Sequence, residues 1–253
     1  MSSTTVAASQ RPIIYPETDG LPMAENTRQY NVIVTIKENL ELLFASDPLV
    51  FIAGDLFWYP REGDNKLRTA PDVLVALGAP KGDRGSYRTW DEQGIAPQVV
   101  FEVLSPSNRV AEMTRKFAIY DEHGVDEYYI FDPEDGLWTG WLRRDGRLRD
   151  IDSMHGWTSP RLGIRFESVP ETELTLFHPD GERFLAPQEM NRKRREAEER
   201  AELDRLARDQ AAQRADRAEL RAEVAERAAS EQQRQIEQLT SQLKSAGINP
   251  AAE

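Results

Sequence analysis

Two stretches decide how this chain reads: Pro71-Asp72-Val73-Leu74-Val75 and Gln98-Val99-Val100-Phe101-Glu102-Val103-Leu104-Ser105. Each is a short apolar run rich in Val and Leu that carries one carboxylate, the pattern of a buried strand interrupted by a charge. A bare carboxylate beside a core is costly, so Asp72 and Glu102 each need a partner. On neighbouring strands the two would share a divalent cation through hard oxygen ligands. The plainer alternatives are a turn or strand-edge carboxylate for Asp72, and a buried salt bridge from Glu102 to Lys116 or Arg109.

Downstream, Ser105-Pro106-Ser107-Asn108 breaks the second run, and Ser107 or Asn108 is expected to cap a helix over Val110–His123. Met113, Phe117 and Tyr120 form its apolar face, and Gly124 stops it. Lys116 lies beside that face, three residues from Met113, so its stem follows the core while its ammonium reaches toward a strand end. Glu127–Asp132 is a third strand, and the strand-helix-strand unit predicts two parallel strands. Leu137–Arg143, Gly163–Glu167 and Glu173–Phe177 are further strands, with turns at Asp135-Gly136, Asp145-Gly146 and Asp180-Gly181.

Upstream, Ile33, Ile36, Leu40 and Leu43 recur at helical spacing, predicting a helix that Glu25 and Asn26 open and Asp47-Pro48 follows. Glu25 in the first turn is explained by the helix dipole; its sharper reading is an extra metal ligand. Leu49–Ala53 and Leu56–Tyr59 predict a hairpin turning at Gly54-Asp55. Arg61–Thr69 reads as a charged surface loop. In the connection Ala79–Pro97, Lys81, Arg84, Tyr87, Arg88 and Trp90 interleave base with aromatic. That suits holding a phosphate backbone and stacking a base, or a loop whose Tyr and Trp fold back on the core.

Of the 253 residues, 39% are apolar, enough for one domain-sized core, and no run approaches the roughly 18 to 20 apolar residues of a membrane span. Cysteine is absent, which excludes disulfides and thiolate metal sites and fits a reducing cytoplasm. The net charge is −12, from 44 acidic and 32 basic residues. Gln188–Ala246 holds 13 of each, so the acid excess, 31 against 19, lies in the body. A nucleic-acid binder ordinarily shows a basic surface, and this body opposes that expectation.

The run APDVLVALGAPKGDRGSYRTWDEQGIAPQVVFEVLSPSNR, continued by RKFAIYDEHGVDEYYIFDPEDG, resembles the Uma family of restriction-endonuclease-like proteins, within the PD-(D/E)xK nuclease-like superfamily. The resemblance runs from about Glu17 to Pro187 and includes a charged helical tail. It implies a restriction-endonuclease-like α/β core, a mixed sheet flanked by helices. It makes Asp72 the acidic residue of the first motif and Glu102 that of the second. Leu104 stands where the superfamily carries its Lys, and Lys116, on the following helix, matches the place from which this family supplies it. Glu25 matches an acidic residue that related nucleases carry on the first helix. The implied catalytic set is Asp72, Glu102 and Lys116, with Asp72, Glu102 and Glu25 as ligands of Mg²⁺ or Mn²⁺. Such carboxylates suit Mg²⁺, which neutralises phosphate oxygens and acidifies water, while a nearby Lys orients or deprotonates that water.

The tail, free of Gly and Pro to Lys244, predicts a long solvated helix. Leu203, Leu206, Leu220 and Val224 fit a heptad that Gln210, Gln213 and Arg217 interrupt, and Ile236, Leu239 and Leu243 are out of phase. The seam leaves a coiled coil and a lone helix both open. The expected organisation is a disordered leader over 1–16, the nuclease-like domain over 17–187, the helix or coiled coil over 188–246 and a disordered tail over 247–253. The expected protein is a cytoplasmic Mg²⁺-dependent endonuclease acting on DNA, or on RNA, with no membrane partner and with a homo-oligomer formed through the core or the helix. The alternative is an inactive nuclease-fold scaffold whose arm recruits protein partners.

Overall fold

Alternation along the strands sorts the core into two faces. In the computed structural model, which describes residues 13–18, 20, 24, 26–170 and 174–245, the chain runs α1 (Thr27–Leu43), β1 (Val50–Gly54), β2 (Trp58–Tyr59), β3 (Val73–Leu77), β4 (Tyr87–Arg88), β5 (Val99–Val103), α2 (Val110–Glu122), β6 (Glu127–Asp132), β7 (Leu137–Arg144), β8 (Arg147–Asp150), β9 (Arg165–Glu167), β10 (Thr175–Phe177) and α3 (Pro187–Ser245). Six strands form one mixed sheet in the order β1-β3-β5-β6-β7-β8. All pairs in it are antiparallel except β5 with β6, which are parallel and joined by α2, as the strand-helix-strand pattern predicts. Val73, Val75, Val99, Phe101 and Val103 face α1, packing with Ile33, Ile36 and Leu40. Leu74, Ala76, Val100 and Tyr128 face the other way, packing with Ile119 and Tyr120 of α2. Glu102, between Phe101 and Val103, therefore points toward α2.

Helix α1 begins at Asn26, whose side chain accepts from the Gln29 N–H at 2.8 Å. Its apolar residues fall on the face the sequence predicts. The expected cap of α2 is not formed. Arg109 is the N-cap and makes no side-chain cap bond, while Asn108 Oδ1 accepts from the Ser105 N–H at 2.7 Å. Asn108 sits one residue too early and closes a turn back on Ser105 instead. Gly124 ends α2 with φ +88°, as expected.

The hairpin expected at Gly54-Asp55 is also not formed. The chain does turn there, with Asp55 at φ +48°, but β1 pairs with β3, and β2 pairs in parallel with β4. Gly54 lies opposite Val73, and the Asp55 N–H donates to the Pro71 and Asp72 carbonyls at 3.1 and 3.3 Å, so the chain leaving β1 stays beside the entry to β3. Trp58 then exchanges backbone bonds with Thr69. The β7–β8 turn does form at Asp145-Gly146, both with positive φ, the geometry of a type I′ turn. Strand β8 escapes the sequence reading because Leu148 is its one buried side chain. The predicted Gly163–Glu167 and Glu173–Phe177 shorten to β9 and β10; residue 173 lies outside the described residues.

The loop Ala79–Pro97 folds back on the core. Tyr87 is fully buried, stacks on Phe51 at 5.6 Å and donates its hydroxyl to the Ile95 carbonyl. Arg84 lies 3.8 Å over the Phe51 ring and pairs with Glu92, and the Lys81 ammonium caps the Phe44 and Ala45 carbonyls at the end of α1. Of the predicted leader, residues 1–12 lie outside the described residues. Tyr15 and Pro16 do not belong to a free leader: Tyr15 packs edge-on against Tyr59, whose hydroxyl donates to the Pro16 carbonyl at 2.5 Å.

The chain divides into two compact units, one ending at Met190 and one beginning at Asn191. The second is helical to Ser245, with Leu203, Leu206, Leu220, Val224, Ile236, Leu239 and Leu243 exposed and pairs such as Arg194–Glu198 at i,i+4. The predicted tail 247–253 lies outside the described residues. Among the described residues no helix is long and apolar enough to cross a membrane.

Candidate active site

Asp72 stands one residue before the Val73–Phe101 pair of the β3–β5 ladder, and Glu102 one residue after it. Continuing that antiparallel register sets the two side chains opposite each other on the α2 face. Asp72 also finishes the ladder: its Oδ2 accepts the Val103 N–H at 2.6 Å. The Val103 carbonyl accepts from Gln29 Nε2 at 2.9 Å, so α1 braces the same strand end.

Glu102 is 2% exposed. Two residues of α2, four apart and hence on one face, meet it: the Lys116 ammonium at 2.8 Å from Oε2 and the Tyr120 hydroxyl at 2.5 Å from Oε1. Lys116 also donates to the Ala70 carbonyl at 3.2 Å, and the Tyr120 hydroxyl lies 3.3 Å from Thr69 Oγ1. The Trp58 ring stacks on Tyr120 at 6.2 Å and fixes the ring plane. The salt-bridge alternative for Glu102 is thus realised with Lys116; Arg109 is exposed and takes no part in it.

Burial, and after it the negative charge of Glu102, pushes the Asp72 carboxyl well above its ordinary range; Lys116 and the Val103 N–H only partly oppose this. Burial alone would lower the Lys116 ammonium, but Glu102 and Asp72 outweigh it and hold Lys116 above its ordinary value. Burial, then Glu102, drives the Tyr120 hydroxyl far upward, so it remains a donor. The result is two crowded carboxylates, one cation and one neutral donor.

Asp72, Glu102 and Lys116 line a cavity of about 540 Å³, together with Asp55, Lys66, Arg68 and Arg115. The donor set fits a small divalent ion. The oxygens are hard, the two carboxylates crowd each other, and a carboxylate oxygen that accepts one hydrogen bond keeps a second lone pair for a cation. Asp72 and Glu102 are the side chains that would hold such an ion. Among the described residues no three His, Cys, Asp or Glu side chains converge as a metal cluster. Glu25, the expected third ligand, lies outside the described residues.

The sequence reading missed three participants. Tyr120 carried a signal, its i+4 spacing from Lys116, but reads as part of the apolar face. Gln29 and Thr69 carried none, since their partners are 74 and 51 residues away.

These features define a protein of the restriction-endonuclease-like class, a mixed sheet whose paired carboxylates meet a lysine from the crossover helix. The family model described as "Uma2: Putative restriction endonuclease" matches residues 20–191, and the chain belongs to that family. Among solved structures, one from Anabaena variabilis described as a "putative nuclease belonging to DUF820" is similar, with 17% identity over 55% of this chain and 74% of that one, and a TM-score of 0.40. No curated protein matches the chain.

Proposed function

We propose that this protein is a metal-dependent endonuclease that hydrolyses phosphodiester bonds in DNA, with Asp72 and Glu102 holding Mg²⁺ or Mn²⁺ and Lys116 serving the reacting groups. The observation that carries the reading is the meeting of Asp72, Glu102 and Lys116 along one cavity. When bound, a divalent ion neutralises charge on the phosphate and makes water more acidic. Lys116, 2.8 Å from Glu102, is placed to serve as a donor and positive charge toward the water or the phosphate oxygens. Tyr120 and Lys116 fix the rotamer of Glu102 from opposite oxygens. The Val103 N–H fixes one oxygen of Asp72 and so aims the other. A DNA substrate and a chain without cysteine fit a reducing cytoplasm.

One observation favours the scaffold reading instead: both Glu102 oxygens are already hydrogen-bonded within the chain, so the network is self-satisfied without a ligand. The deciding experiment incubates supercoiled plasmid, single-stranded DNA and RNA with the protein in Mg²⁺ or Mn²⁺, beside an Asp72→Ala variant and a chelator control. Cleavage of DNA that both controls abolish is the expected result. A folded wild type that cleaves none of the three leaves the scaffold, and preferential cleavage of RNA replaces DNA as substrate.

A further inference from the structure

The cations of the body are mostly matched. Lys37 pairs with Glu41, Arg84 with Glu92, Arg143 and Arg147 with Asp121, and Arg161 with Asp126. Lys66, Arg68 and Arg115 line the cavity that holds Asp72 and Glu102, and none of the three forms an ion pair with a described residue. Three cations without an ion pair among the described residues thus line one opening, beside Asp55 and Glu112.

Each of the three is placed. On α2, Glu112, Arg115, Lys116 and Ile119 follow at helical spacing along the cavity wall, with Lys116 turned in to Glu102 and Arg115 exposed above it. The facing wall is the segment between β2 and β3. There Asp64 Oδ1 accepts the Lys66 and Leu67 N–H groups at 3.0 and 3.2 Å, and Arg68 donates to the Asn65 carbonyl at 3.1 Å while its guanidinium lies 4.8 Å over the Phe57 ring. Arg115 reaches the Lys66 carbonyl at 3.4 Å, so the two walls meet. An array already ordered, whose three cations form no ion pair with a described residue, is suited to a multivalent anion.

We propose that Lys66, Arg68 and Arg115 form a phosphate-binding rim that holds the sugar-phosphate backbone on either side of the bond presented to Asp72 and Glu102; the proposal rests on the nuclease reading for the identity of the ligand. The rim is separate from the basic and aromatic loop Ala79–Pro97, whose Lys81, Arg84 and Tyr87 are committed to the fold.

Counterion release makes the test quantitative. Each cation that neutralises a phosphate of duplex DNA contributes about 0.9 to the slope of log affinity against log salt, and about 0.7 on a single strand. Full-length protein is titrated in a chelating buffer against fluorescent duplex and single-stranded oligonucleotides of roughly 20 nucleotides, over about 25 to 200 mM KCl. The slope on duplex is expected to fall by about 2 in Lys66→Gln/Arg115→Gln and by nearly 3 when Arg68→Gln is added. The double variant keeps Arg68 on Phe57, so a folding defect from Arg68→Gln does not remove the test. Arg144→Gln/Arg149→Gln, which alters exposed cations on β7 and β8, is expected to leave the slope unchanged. A rim variant with the wild-type slope, an equal fall in the control variant, or no salt-dependent binding by the wild type overturns the rim. Metal-dependent plasmid cleavage by the wild type is read alongside. Cleavage with an unaltered slope defeats the rim and spares the nuclease, whereas a lowered slope without cleavage supports the rim and defeats the nuclease.

Discussion

Lys116→Met is expected to destabilise the metal-free protein as well as abolish cleavage. From the sequence alone, a lysine stem lying along a helix edge is removed with little effect on folding; its pair with Glu102 reverses that expectation. The ammonium is 2.8 Å from a carboxylate whose side chain is 3% exposed, and its own side chain is 16% exposed. Removing one partner of a buried pair costs about 3–5 kcal/mol because the other charge is left uncompensated. Tyr120 still donates to Glu102 in the variant and some solvent reaches the lysine end, which lowers the expected loss to about 2–3 kcal/mol. For a domain of this size that corresponds to a fall of about 5–10 °C in melting temperature.

The sign with pH follows from the raised Lys116 value. Its stabilisation is fully present below the ordinary lysine value of 10.5 and is lost only as pH rises through the still higher folded value. The deficit of Lys116→Met is therefore flat across neutral pH and narrows only in strong alkali. Urea unfolding followed by tryptophan fluorescence is the assay, since all five tryptophans precede Asn191 and report the core alone. A cycle with Glu102→Gln, which keeps the shape and an acceptor for Tyr120, is expected to give a coupling of about 2 kcal/mol. A coupling under about 0.5 kcal/mol would refute the pair as a source of stability.

Tyr120→Phe keeps the stack on Trp58 but removes a donor to a buried charge, so a loss of about 1.5–3 kcal/mol is expected, with lowered kcat; a variant as stable and active as wild type would count against it. Asp72→Asn tests the raised carboxyl. Protonation of Asp72 favours the fold fully below 3.8, and that contribution is lost as pH rises through the folded value, so Asn should flatten the fall in metal-free melting temperature above about pH 4; an unchanged slope contradicts this. Asp72→Asn and Glu102→Gln should each weaken Mn²⁺ binding in calorimetric titrations, and unchanged titrations in both remove the metal site. Truncation after Met190 should leave a folded core with unaltered Mn²⁺ binding, because Glu189, which accepts from Arg183 and the Ala186 N–H, is kept. Light scattering then shows whether Leu220, Val224, Ile236, Leu239 and Leu243 oligomerise the full chain: a lower assembly state on truncation is expected, and an unchanged one refutes it.

What could be read from the chain divides along the distance over which a signal acts. Strand β6 is found at its full extent because Glu127–Asp132 is bounded by Gly124 and by the turn at Gly136, all local features. Asp72, Glu102 and Lys116 are legible because a carboxylate in an apolar run demands a partner. Strand β2 is found but mispaired, because its partners are Thr69, antiparallel, and Tyr87, parallel, and no local period announces either. The cap of α2 fails on a single residue of register.

Of the two readings the sequence leaves open for Ala79–Pro97, the structure realises the fold back onto the core, while Arg61–Thr69 is the charged surface loop the sequence predicts. Interleaved aromatics made Ala79–Pro97 resemble a nucleic-acid contact, yet those rings draw the loop into the core, where Tyr87 stacks on Phe51 and Arg84 covers the same ring. Arg61–Thr69 contains no aromatic side chain and is turned on Asp64, so Lys66 stays in solvent and, with Arg68, lines the cavity. The acid excess of the body does not oppose this arrangement. At physiological salt, exposed charges act over about 8 Å, so a phosphate at the cavity responds to the groups that line it, Lys66, Arg68, Arg115 and Lys116 with Asp55, Asp72, Glu102 and Glu112, and not to the acidic surface farther off. Net charge describes the whole molecule, whereas the ligand responds to the few groups within one screening length of where it binds.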